Sequence, residues 1–472
     1  MMPPFGIGES TSIIVPVPQF DRSLKKVMRS LFKLILTLIC LAVLSAAVRP
    51  QGVGAPGERK GTGTVVLKAA RIIDGTGAAP VRNGAIVILD DKIMSVGPAD
   101  KISVPAGARV IDLGDVTLMP GFIDSHTHII GRVLGDPGAD AARFRDLDSF
   151  GAILAVRNAE RTLMAGFTTI RNVGAANFDD IALRRAINEG WVVGPRIVTA
   201  GHSIGITGGH CDENGYKPGA ADGDFKTGIA DGPEQVRAAV RYQVKYGADV
   251  IKTCATGGVL SEGDAVGATQ YTFEELKAMV EEAHKLERKV AAHAHGTEGI
   301  KIATRAGVAS IEHGSFLDEE GAKLMAQKGT VLVPTLMAGE TVERLANSGV
   351  LRGFRAEKAL AAAKAMRNSV KIAVANRVPI ALGTDAGVIL HGTNAHEFTL
   401  MVEWGGMRPM DAVMAGTLNA AKLLGLDKAV GTIAPGKFAD IVAVPGDPLT
   451  DIKRMENVTF VMKYGAIYKE PK

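Results

Sequence analysis

Asp124-Ser125-His126-Thr127-His128 sets two imidazoles two residues apart, directly after the apolar run Val116-Thr117-Leu118-Met119-Pro120-Gly121-Phe122-Ile123. That run reads as a buried strand. Side chains two apart in a strand share a face, so His126 and His128 can aim at one point beyond the strand's C-terminal end. Imidazole suits zinc and related divalent ions. Two histidines are an incomplete ligand set, so the reading depends on what the rest of the chain adds.

From Val116 onward, Val- and Ile-rich strands alternate with helical patterns. The sequence predicts strands at Leu118–Ile123, Thr168–Asn172, Arg196–Thr199, Val250–Thr253, Val290–His293, Ser310–His313, Val331–Pro334 and Ile380–Thr384. Helical patterns fall at Gly151–Met164, Pro233–Tyr246, Phe273–Glu287, Ala356–Val374 and Pro409–Leu424. Eight such alternations predict an α/β chain with a (β/α)8 TIM-like barrel. Short strands precede it at Thr64–Ile73, Gly84–Leu89, Lys92–Val96 and Arg109–Leu113, and strand-like segments return after Gly431. A small β-sandwich domain formed from both chain ends follows, with residues 48–118 and 426–472 flanking a barrel of residues 119–425.

In such a barrel the chemistry collects at the C-terminal ends of the strands. His126 and His128 end the first strand and Lys252 lies in the fourth. His293 and His295 end the fifth, His313 the sixth, and Asp385 the eighth. An ammonium buried in an apolar strand is costly unless it is paired or has a shifted pKa. Carboxylated by CO2, Lys252 would instead be an anionic oxygen donor able to bridge two metals. Blander readings stand beside these. Asp385 alone could be a helix N-cap, and His202 and His284 read as structural.

Composition narrows the class. Formal charge is +4 over 472 residues, and five basic residues fall in the first 47. The remainder is close to balanced, 49 basic against 48 acidic residues, which gives no sign of the clustered basic surface typical of nucleic-acid binding. Lys25, Lys26, Arg29 and Lys33 precede an apolar run from Leu34 to Leu44 and small residues at Ser45-Ala46-Ala47. Residues 1–47 therefore read as a signal-peptide region, with Met1 or Met28 as the start, and predict a secreted or periplasmic protein without a membrane anchor after cleavage. Cys211 and Cys254 are the cysteines left beyond it. They permit one disulfide and no disulfide framework.

Taken jointly, Pro120-Gly121-Phe122-Ile123-Asp124-Ser125-His126-Thr127-His128, Lys252, His293, His313, Asp385 and the closing Val430-Gly431-Thr432-Ile433-Ala434-Pro435-Gly436-Lys437-Phe438-Ala439-Asp440-Ile441-Val442 resemble the amidohydrolase superfamily. Gly166–Gly174, Ile206-Thr207-Gly208-Gly209-His210, Ala255–Ser261, Ala292–Gly296 and Ser310–Ser315 are similar to the prolidase-like group of dipeptidases and carboxypeptidases, which ochratoxin-hydrolysing amidohydrolases also resemble. The resemblance implies two divalent metals, usually zinc. His126, His128 and Asp385 would hold one, His293 and His313 the other, and carboxylated Lys252 would bridge them. It implies cleavage of the amide bond of dipeptides or N-acyl and aryl-acyl amino acids, ochratoxin A included. A hydroxide shared by the metals would attack, with Asp385 as general base and then acid. His295 is expected as a catalytic contact to the oxyanion or substrate, and His210, Arg171 and His391 as substrate contacts. Cys211 and Cys254 match no family ligand. A homo-oligomer, up to an octamer, is implied. Two other readings compete: a cyclic amidohydrolase of the imidazolonepropionase type, and a non-catalytic barrel scaffold.

Overall fold

A computed structural model describes residues 55–471, so the expected leader over 1–47 lies outside the described residues. The chain opens with β1 (Thr64–Ile72), β2 (Val81–Leu89), β3 (Lys92–Pro98), β4 (Arg109–Asp112) and β5 (Val116–Pro120). Seven strands separated by helices follow: β6 (Phe122–Thr127), β7 (Phe167–Asn172), β8 (Arg196–Thr199), β9 (Val250–Cys254), β10 (Lys289–Ala294), β11 (Ser310–His313) and β12 (Val331–Val333). Three strands close it: β13 (Ile441–Pro445), β14 (Phe460–Lys463) and β15 (Ala466–Lys469).

The first and last groups share one eight-stranded sheet. Its order is β15-β14-β13-β5-β1-β2-β3, with β4 on β1. β13 runs antiparallel to β5, from Ile441 opposite Pro120 to Pro445 opposite Val116. The apolar run 116–123, read from sequence as one strand, is therefore two. β5 belongs to this sheet and β6 starts a parallel one. Gly121 divides them: a Cβ there would stand 2.2 Å from Thr168 Oγ1, so only glycine lets the backbone pass.

The middle strands are parallel, in a three-stranded sheet β6-β7-β8 and a four-stranded sheet β12-β11-β10-β9. Every residue of β6, β7 and β9 is buried, as in strands covered on both faces. Single bridges extend these sheets. Ile204 pairs with Thr253, Leu332 with Ile380, and Thr127 with Ala386. The expected eighth strand, Ile380–Thr384, is not a regular strand. Leu382 N–H donates to Ala415 O instead of to a neighbouring strand, and positive φ at Asp385 (62°) and Gly387 (126°) turns the chain.

Helices pack outside: α1 (Asp148–Met164), α2 (Asp179–Asn188), α3 (Gly232–Tyr246), α4 (Phe273–Lys285), α5 (Thr297–Ala306), α6 (Glu319–Lys328), α7 (Leu336–Asn347), α8 (Gly353–Ala375) and α9 (His396–Glu403). Thr272 and Glu275 form a reciprocal capping box at the start of α4, satisfying two otherwise unpaired N–H groups. The helix expected over 409–424 is interrupted by a π-turn at Ala415–Asn419. Ala415 O and the Asn419 amide are both drawn to the irregular eighth segment, at Leu382 N and Ile380 O.

Phe122 sits at the root of this arrangement. It is fully buried, with ring centroids 5.5 Å from Phe167 and 5.0 Å from Phe398, both edge-on. Phe122→Ala should cost about 3–5 kcal/mol in a denaturant-unfolding measurement, through lost burial and a residual cavity.

Candidate metal centre and its cavity

The strand ends open into a cavity of about 800 Å³ lined by His126, His128, His210, Lys252, His293, His295, His313 and Asp385. Two groups of donors stand in it. Donor atoms of His126, His128 and Asp385 lie within 4.8 Å of one another, as do those of His293, His295 and His313. Asp385 Oδ1 is 3.5 Å from Nε2 of both His126 and His128. The His126 and His313 rings, 4.9 Å apart, join the groups.

Backbone conformation aims several of these side chains. His313 and Asp385 adopt φ of 68° and 62°, a left-handed region that residues other than glycine seldom occupy and that clusters at functional sites. Hydrogen bonds then orient the rings. His126 Nδ1 lies 2.7 Å from Glu312 Oε2, His128 Nδ1 3.3 Å from Gly174 O, His313 Nδ1 2.7 Å from Thr335 Oγ1 and His295 Nδ1 2.6 Å from Ser315 Oγ. Glu397 accepts from Leu336 and Met337 N–H at 2.8 Å each, fixing the start of α7 beside Thr335.

Electrostatics favour the ligand forms. Burial pushes the His128 and His210 imidazoles down to about 4 and that of His295 to about 3, so they are neutral near pH 7. Burial lowers the Lys252 ammonium to about 8, despite the opposing pull of Glu312 and Asp385. It raises the Asp385 carboxyl to about 6, against the pull of Lys252. Nε2 of His126 and of His293 is buried with no hydrogen-bond partner. Buried polar atoms are nearly always satisfied, so these two fit a metal ion, which takes neutral imidazole nitrogen.

His210 reaches the cavity as expected and stacks on His293 at 4.2 Å. Its Nδ1 is 2.9 Å from Ser261 Oγ, which bonds Asp264, which pairs with Lys358 at 2.9 Å. Gly258 lies against the ring: a Cβ there would come within 2.2 Å of it. A disulfide joins Cys211 to Cys254 with Cα atoms 5.9 Å apart, tying this loop to the end of β9.

Two expected substrate contacts have other positions. Arg171 is 2% exposed and is not among the lining residues. Its guanidinium is engaged inside the strands, donating to Ser125 O, Ser310 Oγ (3.1 Å) and Glu312 Oε1 (2.7 Å). His391 is also buried and outside the lining, packed next to His128. Sequence reasoning did not single out Glu312. A glutamate inside the apolar strand Ser310-Ile311-Glu312-His313 was the available signal.

Parallel strands with surrounding helices carry, at the strand ends, a histidine-rich cavity whose donors are grouped as divalent-metal ligands are. Residues 117–468 match the amidohydrolase family, and the chain belongs to it. Ochratoxinase of Aspergillus niger is 35% identical over 454 residues, covering 90% of each chain. A crystal structure of a Xaa-Pro dipeptidase with methionine bound in its active site is 40% identical with a TM-score of 0.81, covering 86% of this chain and all of that one. A prolidase complexed with N-methylphosphonate-L-proline is 31% identical with a TM-score of 0.78, over 86% and 100%. These neighbours imply a TIM-barrel-like fold, and the protein is a hydrolase acting on C–N bonds.

The disulfide joins cysteines separated by 43 positions in sequence. Cys211→Ser/Cys254→Ser should lose roughly 2–4 kcal/mol of stability. In denaturant titrations, a reductant should destabilise the wild type by a similar amount and leave the double variant unchanged.

Proposed function

We propose that the protein is a binuclear amidohydrolase that cleaves the amide bond of dipeptides or of N-acyl and aryl-acyl amino acids. One observation carries this reading: the two donor groups and Lys252 share one cavity at the strand ends. We assign His126, His128 and Asp385 to one ion, His293 and His313 to the other, and carboxylated Lys252 to both. The depressed Lys252 pKa supports this, because CO2 adds to the neutral amine. Bound there, two divalent ions, zinc by the imidazole-rich donor set, would supply a nucleophile from water at neutral pH and polarise the scissile carbonyl.

The chain's own groups do the rest. Asp385 takes the proton of the attacking water and passes it to the leaving amine. His295, held through Nδ1 by Ser315, directs Nε2 at the substrate carbonyl, and His210, held by Ser261, contacts the substrate. Val259, Leu260, Val342 and Met366 form an apolar wall for a side chain or aryl group. Ochratoxinase and prolidase among the relatives support both substrate types.

The bridges Ile204–Thr253, Leu332–Ile380 and Thr127–Ala386 support a closed (β/α)8 barrel, and the sheet shared by β1–β5 and β13–β15 supports a small β domain built from both chain ends. The disulfide, with the leader-like N-terminus, supports a secreted or periplasmic location.

Purified protein should hold close to two divalent ions per chain by elemental analysis. A chelated, metal-free preparation that keeps full amidase activity would end the mechanistic reading. Lys252→Ala should lose metal and activity, with partial rescue by a short-chain carboxylic acid. Asp385→Asn should retain metal while kcat falls at least ~100-fold. A hydrolysis screen across dipeptides, N-acyl amino acids and ochratoxin A identifies the substrate.

A further inference from the structure

Glu312 and Arg171 form an ion pair at 2.7 Å, with the carboxylate fully buried and the arginine 2% exposed. The carboxylate's two oxygens face different partners. Oε1 receives the Arg171 Nη2–H and the Ser310 hydroxyl. Oε2 faces His126 Nδ1 at 2.7 Å. Arg171 also donates to Ser125 O, one residue before His126, so the same guanidinium fixes the carboxylate and the strand that carries the ring.

We propose that Glu312, held by Arg171, is a positioning residue that fixes His126 in the tautomer with its proton on Nδ1, leaving the Nε2 lone pair facing the cavity. This rests on the binuclear reading above. A carboxylate already holding two donors on one oxygen presents the other as an acceptor, so Nδ1 must be the donor. The neighbouring rings are held less decisively. His313 and His295 meet hydroxyls, which can donate or accept, and His128 meets a carbonyl at the longer distance of 3.3 Å. His126 Nε2 is the atom left buried without a partner, as the assignment requires. A carboxylate behind a ligating imidazole raises its basicity and sets its orientation, and removing it typically weakens metal binding ~10–100-fold.

Glu312→Gln keeps the size of the side chain. Its amide oxygen is drawn to the Arg171 and Ser310 donors, which turns the NH2 toward His126 and forces the proton onto Nε2. The variant should fold and retain about one tight divalent ion per chain, the second weakened ~10–100-fold in a zinc titration. In Glu312→Gln the 15N signals of the His126 ring should place its proton on Nε2, whereas a merely structural role leaves the proton on Nδ1.

The tautomer is read directly in metal-free wild-type protein labelled with 15N-histidine, with the His126 ring assigned by its disappearance in His126→Asn. A protonated Nδ1 is expected. A protonated Nε2, or wild-type zinc affinity at both sites in folded Glu312→Gln, overturns the proposal. Fewer than two tight ions in the wild type would instead count against the binuclear reading, while the tautomer measurement still decides the role of Glu312.

Discussion

A buried guanidinium between β6, β7 and β11 is the constraint on which the rest of the centre depends. Arg171 satisfies a backbone carbonyl, a hydroxyl and a carboxylate at once. An ion taken out of water is tolerated only when such partners compensate the lost hydration. The same set of bonds locks three strands in relative position just below the histidines. Removing water from the strand ends also keeps the imidazoles neutral and lowers the lysine, so one physical cause prepares several donors together.

Much of the centre was legible because a strand fixes where its side chains point. His126, His128, Lys252, His293, His295 and His313 sit in or at the ends of readable strands, and the structure gathers them in one cavity. Asp385 arrives there by another route, a left-handed turn at the end of an irregular segment. Of the orienting groups only Glu312, a glutamate in an apolar strand, left a signal, and that signal did not name its partner. Thr335 stands 22 residues from His313, Ser261 stands 51 from His210, and Glu312 stands 186 from His126. Serine and threonine carry no signal that separates such a role from an ordinary loop position.

Arg171 and His391 show the opposite limit. Both stand close in sequence to the strand ends, yet the first turns into the strand interior and the second packs beside His128. Proximity in sequence to an active end does not say on which side of the backbone a side chain emerges. The two cysteines left a disulfide open, and the fold closes it between the loop of His210 and β9. The histidine of that loop is thereby held covalently at one side and by the Ser261–Asp264–Lys358 series at the other.

The sheet shared by both ends of the chain has a consequence for the order of assembly. β5 is flanked by β1 and by β13, and β13 begins at Ile441 while β5 ends at Pro120. A growing polypeptide therefore carries β5 with one edge open for the synthesis of some 320 residues, estimated from that separation, while the parallel strands are made. Valine, leucine and methionine of β5 stay without their partner strand throughout. Until β13 is made, an unpaired strand edge of this kind is a target for chaperones and for mispairing with a neighbouring copy.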